Sequence, residues 1–216
     1  MKRRQQRIRR IVLVAAAVLA ALAPASAKEF DTVVETTYRQ VTWEDFKGRE
    51  FRGNRWEDGT WAHLTSAVVV EPTRIEPRQL GDGRWIAELA GLEVYGVMDK
   101  DLSGAAPGAK SEKLLAHEQL HFDVTEAFAR RLTVKLQPLT GTGGDAKSAV
   151  SDLQEKLQRT YDQSVRELLA YQDRYDAETR HGTRRKAQEK WNETIAALFA
   201  AATAELEQAR AAEAPP

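Results

Sequence analysis

The sequence predicts an α+β fold in which a small antiparallel, β-rich half, residues 28–100, precedes three long helices within residues 110–211. A change of hydrophobic period carries this expectation. Before about Lys100 the apolar and β-branched residues come in short runs broken by Gly, Asn and Asp, the pattern of strands and tight turns. After Lys110 they recur every three or four positions, over stretches too long for strands.

Met1 to Ala27 read as a secretory signal peptide rather than as part of the fold. Lys2, Arg3, Arg4, Arg7, Arg9 and Arg10 make a basic start, Ile11 to Leu22 an apolar stretch, and Ala25-Ser26-Ala27 a small-residue cleavage site before Lys28. The stretch is shorter than the roughly 18 residues that span a bilayer, and Gln5-Gln6 after Arg3-Arg4 does not fit a twin-arginine signal. The expected location is therefore periplasmic or secreted, with no membrane attachment after cleavage. Residues 28–216 are expected to form one domain, closed by a disordered Ala/Pro tail at 212–216.

Within the first half, Thr32 to Tyr38, Ala62 to Val70, Trp85 to Leu89 and Leu92 to Met98 read as strands. Turn signals at Gly48, Gly53-Asn54, Asp58-Gly59 and Gly81-Asp82-Gly83 separate them. Trp43, Phe46, Phe51, Trp56 and Trp61 read as core and loop packing rather than as a ligand cage. Ser103 to Gly108 reads as a loop. A first helix runs from Lys110-Ser111 to about Leu136 and breaks over Pro138 to Gly144. A second runs from about Ala146 to Arg180, with Val150, Leu153, Leu157, Tyr161, Ser164, Leu168, Tyr171 and Tyr175 on one stripe and Gly182 after its end. A third runs from about Arg184 to Ala211 and carries Trp191, Ile195, Leu198 and Phe199.

Composition excludes some functions and constrains others. All six charges of residues 1–27 are basic, so the remainder has 26 Lys and Arg against 32 Asp and Glu, about −6 with His neutral. A mildly acidic chain with no basic patch evident in it is a poor nucleic-acid binder. Cys is absent, so the fold has no disulfides and a metal would be held by His and carboxylate alone.

The chemistry lies in His117-Glu118-Gln119-Leu120-His121, an HExxH pentad in a chain with four histidines. At 100° per residue, Leu114, His117, His121, Val124, Phe128 and Leu132 fall in a stripe about 80° wide, with Glu118 and Thr125 at its edge. Both imidazoles thus interrupt a core-facing surface, where each needs a hydrogen-bond partner or a metal. One turn apart, they can reach a single Zn²⁺, with Glu118 as general base toward water, in a zincin-like arrangement on the first long helix.

Catalytic zinc takes a third protein ligand. Asp123 and Glu126 point away from the histidine direction, and Val124 and Ala127 stand where a metzincin would carry Gly and His. His181, beside Gly182 at a helix end, is the leading candidate, although an ideal antiparallel hairpin puts Ser164 opposite the pentad and His181 about 25 Å further along. Glu167, Glu155, Glu178 and Asp176 are the carboxylate alternatives, each also readable as a solvated helix charge. His63 reads as structural or as a neighbour of the metal. Tyr175 could donate to the oxyanion of a tetrahedral intermediate or simply fill the core.

Val41-Thr42-Trp43-Glu44-Asp45-Phe46-Lys47-Gly48, Ala62-His63-Leu64-Thr65-Ser66, Leu114 to Asp123 with its HEQ-x-HFD stretch, and Tyr175-Asp176 with Thr179-Arg180-His181-Gly182 together resemble a bacterial family of unknown function described as predicted secreted zinc-dependent proteases. Leu120 stands where relatives often have a small residue. The resemblance implies export, a metal and peptide hydrolysis. The sequence thus points to a zinc metallopeptidase with metal ligands His117, His121 and His181 and catalytic Glu118 and Tyr175. Its expected partner is a peptide or protein substrate, cell-wall peptide being one candidate, and not nucleic acid. The rival reading is a non-catalytic envelope protein that binds metal or partners through its helices.

Overall fold

The computed structural model describes residues 38–48, 61–72, 74–106 and 108–213. The leader, the strand expected before Tyr38, Phe51, Trp56 and the turns at Gly53-Asn54 and Asp58-Gly59 lie outside these residues. In order come a short 3-10 turn (Trp43–Asp45), β1 (Ala62–Pro72), β2 (Ile75–Gln79), β3 (Trp85–Leu89), β4 (Leu92–Ala105), α1 (Glu112–Leu136), β5 (Gly141–Gly143), α2 (Ala146–Thr179) and α3 (Arg185–Glu213). The α+β class and the three helices agree with the sequence reading, with ends within the usual fraying. Among the described residues no helix is long and apolar enough to cross a membrane.

The described residues divide into two compact units, one holding Val69–Val94 and Leu132–Gln163, the other the described residues up to Val68, Tyr95–Arg131 and those from Ser164. The first unit is built on a sheet of order β2-β3-β5. β2 and β3 form an antiparallel hairpin from Ile75↔Leu89 to Gln79↔Trp85. Its turn closes through Leu80 N–H to Arg84 O (2.7 Å) and Gly83 N–H to Leu80 O (2.9 Å). β5 pairs antiparallel with β3, Ala87 facing Gly141. Gly141 is required by proximity, since a Cβ there would lie 2.0 Å from Ala149 O of α2. At the start of α2, Asp145 accepts from Ser148 N–H (2.7 Å) while its own N–H reaches Ser148 Oγ (3.1 Å), a reciprocal cap.

Two strands go beyond the sequence reading, and the loop expected from Ser103 is corrected. β2 is a strand despite its polar sequence and Pro77, because it lies at a sheet edge, where a missing N–H is tolerated. The break at Pro138 to Gly144 contains β5, whose two glycines serve close packing rather than strand propensity. Ser103 to Ala105 continue β4 instead of forming a loop. Ser103 is fully buried: its Oγ donates to Asp99 O (2.6 Å) and accepts from Thr65 N–H (2.9 Å), while Gly48 N–H takes its carbonyl (2.8 Å).

In the second unit β1 pairs with β4, and Val41, Phe46, Leu64, Met98 and Phe122 form a core with Trp43 and Leu115 packed on it. The segment from Tyr38 is fastened at two points. Buried Asp45 binds Arg39 (2.7 Å) and Lys100 (2.9 Å). Burial alone would raise that carboxyl, but these cations and the Thr42 N–H outweigh it and hold it far below the usual range. The other fastening is to α1: Tyr38 Oη donates to Asp123 (2.6 Å), Gln119 Nε2 donates to the same oxygen (2.7 Å), and Gln119 Oε1 accepts from Val41 N–H (2.6 Å). Gln119 and Asp123 of the HEQ-x-HFD stretch thus pin the incoming chain. Trp61, expected in the core, is 38% exposed.

Candidate metal centre

α1 places the pentad in a buried position. Ser111 Oγ caps it by accepting from Leu114 N–H (3.2 Å), and His117, Glu118 and His121 are all buried while the following turns carry Phe122, Val124, Phe128 and Leu132 into the core. The two imidazoles stand edge to face with centroids 5.0 Å apart. Their Nε2 atoms converge on one oxygen, Asp176 Oδ1, at 3.2 Å from His117 and 3.0 Å from His121. His117, His121 and Asp176 form a group of three donors mutually within 4.8 Å that could hold a metal ion.

Two glutamines decide which face of each ring is available. Gln172 Nε2 donates to His121 O and to Thr125 Oγ1 (both 3.1 Å), so its Oε1 is the atom turned to His121 Nδ1. Gln188 Nε2 donates to Tyr175 Oη (2.8 Å) and Asn192 Oδ1 (2.9 Å), so its Oε1 is the atom 3.0 Å from His117 Nδ1. Each Nδ1 must then carry the hydrogen, and each neutral ring presents a lone pair at Nε2. Two lone pairs and a carboxylate oxygen meet with no donor among them. Only a proton or a cation can sit there without repulsion. This is the test that a divalent metal passes on the chemistry of the donor set, and imidazole with carboxylate is the pairing that the absence of Cys requires.

The electrostatics agree. Burial pulls His121 down, but the Asp176 charge and hydrogen bond, aided by Glu118, push it up to about 9, so without a metal this ring holds a proton at neutral pH. Burial also works against ionised Asp176, yet His121, His117 and His181 together keep its carboxyl far below the usual range. Glu118 is raised, first by desolvation, with His121 and His117 opposing; its carboxylate accepts the N–H of Leu64 on β1.

The remaining predicted residues are placed as follows. His181 Nδ1 lies 3.3 Å from Asp176 Oδ1 but is outside the three-donor group, which contains the carboxylate alternative Asp176 instead. Arg180 and His181 have φ of 49° and 51° and Gly182 of 76°, a left-handed run that folds the chain back over the site. Gly182 rests on His117: an added Cβ would lie 3.0 Å from Cγ of that ring. Tyr175 is fully buried, its ring stacked on His117 at 4.6 Å and its Oη donating to His117 O (3.2 Å). In this arrangement its proton is committed to holding the histidine. His63 is exposed on β1. Glu155, Glu167 and Glu178 are exposed on α2, and Glu178 accepts from Trp191 Nε1 (2.8 Å).

The hairpin estimate fails by about 11 residues, roughly 16 Å at the helical rise: Tyr175, not Ser164, lies against the pentad. Gln172 and Gln188 escaped the sequence reading. Gln172 falls within the apolar stripe of its helix, between Leu168 and Tyr175, and a polar side chain on that stripe carries the same signal that singles out the two histidines.

Residues 108–182 match the model of a family described as "Bacterial protein of unknown function (DUF922)". The matched span holds His117, Glu118, His121, Gln172, Tyr175, Asp176 and His181. Among the curated proteins nothing matches this chain, and among the solved structures nothing does either.

Proposed function

We propose that this chain, whose residues 108–182 match the model of that bacterial family of unknown function, is a zinc-dependent peptidase acting in the periplasm or outside the cell. The observation that carries the reading is the convergence of His117 Nε2, His121 Nε2 and Asp176 Oδ1 with both Nδ1 atoms fixed as donors. Zinc held by these residues would supply a Lewis acid that polarises a carbonyl and lowers the pKa of water toward 7. The rest falls to the chain itself. Glu118, adjacent to His117 and raised by burial, holds a proton closer to neutrality than an ordinary carboxyl, and in this reading it takes one from water and returns it to a leaving amine. Gln172, Gln188 and Tyr175 keep both rings oriented, and Gly182 leaves His117 room. Three protein donors leave a coordination position for solvent, as hydrolysis needs. The substrate is a peptide or protein, cell-wall peptide included, and not nucleic acid. The leader-like residues 1–27 support export.

The reading with a structural ion in a non-catalytic envelope protein rests on His181, a further donor-bearing side chain touching Asp176. Four protein donors would leave no place for water. Glu118→Gln separates the two readings: it is expected to retain zinc while hydrolysis of a peptide library falls by about 10² or more. A Glu118→Gln protein as active as the parent, or a parent that hydrolyses no peptide with zinc bound, contradicts the peptidase. His181→Ala with unchanged zinc affinity assigns the third ligand to Asp176.

A further inference from the structure

Exposure across the site rises in one direction. The His117 side chain is 1% exposed and His121 11%, whereas Asp176 is 30% and His181 35%. The exposed edge of the group is therefore formed by the end of α2 and the turn that follows it. That turn, Arg180-His181-Gly182-Thr183-Arg184-Arg185-Lys186, carries four permanent cations and no acid, in a chain with 32 Lys and Arg against 32 Asp and Glu overall. All four cations are exposed. Arg185 pairs with Glu189 at 3.6 Å; Arg180, Arg184 and Lys186 make no ion pair within the described residues.

Fold stability does not account for this cluster. Arg180 at the end of α2 meets the negative end of a helix dipole and is favoured there. Arg184, Arg185 and Lys186 lie at the start of α3, the positive end, where acids are favoured and cations repelled. Arg180 and His181 are moreover held in the left-handed region, which side chains other than Gly enter at a cost. The turn whose His181 touches Asp176 thus carries exposed cations against the electrostatic preference of the helix start, an arrangement that an anionic partner relieves.

Resting on the peptidase reading, we infer that this turn recognises carboxylates, so that the substrate is an acidic peptide with Asp or Glu flanking the bond presented to the centre. Peptide carboxylates fit because they are spaced along a backbone that also offers the carbonyl the centre would polarise. The net acidity of residues 28–216 hides the local cluster, and an oligonucleotide is therefore the competing ligand to test.

The test uses full-length Glu118→Gln protein loaded with zinc and end-blocked fluorescent octapeptides that are acidic, neutral or Lys-rich, read by anisotropy. The acidic peptide is expected to bind about tenfold tighter than the neutral one, with the preference lost at high salt as screening shortens to about 3 Å near 1 M. Arg184→Glu with Lys186→Glu should reverse the preference toward the Lys-rich peptide at unchanged zinc stoichiometry; acids at this helix start favour the fold, so the variant stays interpretable. Equal binding of the three peptides, or tighter binding of a single-stranded oligonucleotide than of the acidic peptide, overturns the inference. Anisotropy needs no turnover. Failure of hydrolysis therefore counts against the peptidase, and a charge-blind anisotropy result counts against the acidic substrate.

Discussion

Replacing Gly182 by Ala should damage the fold and the metal centre together, and a second glycine separates the two contributions. Gly182 has φ +76°, and a Cβ there would lie 3.0 Å from His117 Cγ and 3.2 Å from its Cβ and Nδ1. The backbone part costs about 1–2 kcal/mol, as for any L side chain in the left-handed region. The contact part is larger than usual because the ring cannot yield: Gln188 holds Nδ1 at 3.0 Å and Tyr175 stacks on its face at 4.6 Å. Overpacking of this kind adds about 1–3 kcal/mol. Gly83 has φ +85° with nothing within 4 Å of its added Cβ, so Gly83→Ala incurs the backbone part alone. At about 2–4 °C per kcal/mol for a chain of this size, calorimetry should show Gly182→Ala melting several degrees below Gly83→Ala. Zinc affinity, measured by competition with a chromophoric chelator, should fall about tenfold or more in Gly182→Ala and stay at the parental value in Gly83→Ala. The two variants melting together with equal zinc affinity would refute the claimed contact between Gly182 and the liganding ring.

Other outcomes follow from the same geometry. Gln172→Leu and Gln188→Leu should each weaken zinc about 10–100-fold by releasing an imidazole from its orienting partner, seen in the same competition assay; full affinity in both would mean the rings need no orienting. Asp176 lifts His121 to about 9, so below that pH a cation must displace a proton. Apparent zinc affinity should therefore drop by about tenfold per unit as pH falls from 9 toward 6.5 and level off above 9, whereas a flat profile between pH 6.5 and 8 would contradict the proton on His121. Gly141→Ala places a Cβ 2.0 Å from Ala149 O and 2.6 Å from Leu153 N, both backbone atoms. It should cost about 3 kcal/mol or more in urea unfolding, and a near-neutral result would show that β5 does not sit against α2 as described.

What the sequence disclosed and what it concealed have a common physical origin. The three helices and the strands at Ala62 and Trp85 were legible because their burial repeats with the period of the element. β2 and β5 were not: one is a polar edge with a proline, the other three residues chosen to let a helix approach. The extension of β4 through Ser103 was concealed for a similar reason, since small residues that read as a loop were serving close packing. In the site, His117, Glu118 and His121 stood out because titratable groups on an apolar stripe demand partners. His181, expected as the third ligand, touches Asp176, while the group that could hold a metal takes Asp176 itself, one residue beyond the stripe position Tyr175. Linear patterns cannot reveal that offset. It depends on which residues of α1 and α2 lie side by side, and an ideal hairpin misjudges it. The two glutamines became meaningful only once their amide nitrogens were seen committed elsewhere.

Metal analysis of the purified protein beside His117→Ala, His121→Ala and Asp176→Ala tests the centre most directly. One equivalent of zinc in the parent, retained in His63→Ala and lost with each of the three substitutions while the fold persists by circular dichroism, is the expected result. Zinc retained without Asp176, or no stoichiometric divalent ion in a folded parent dialysed against zinc, would contradict a metal held by two imidazoles and that carboxylate.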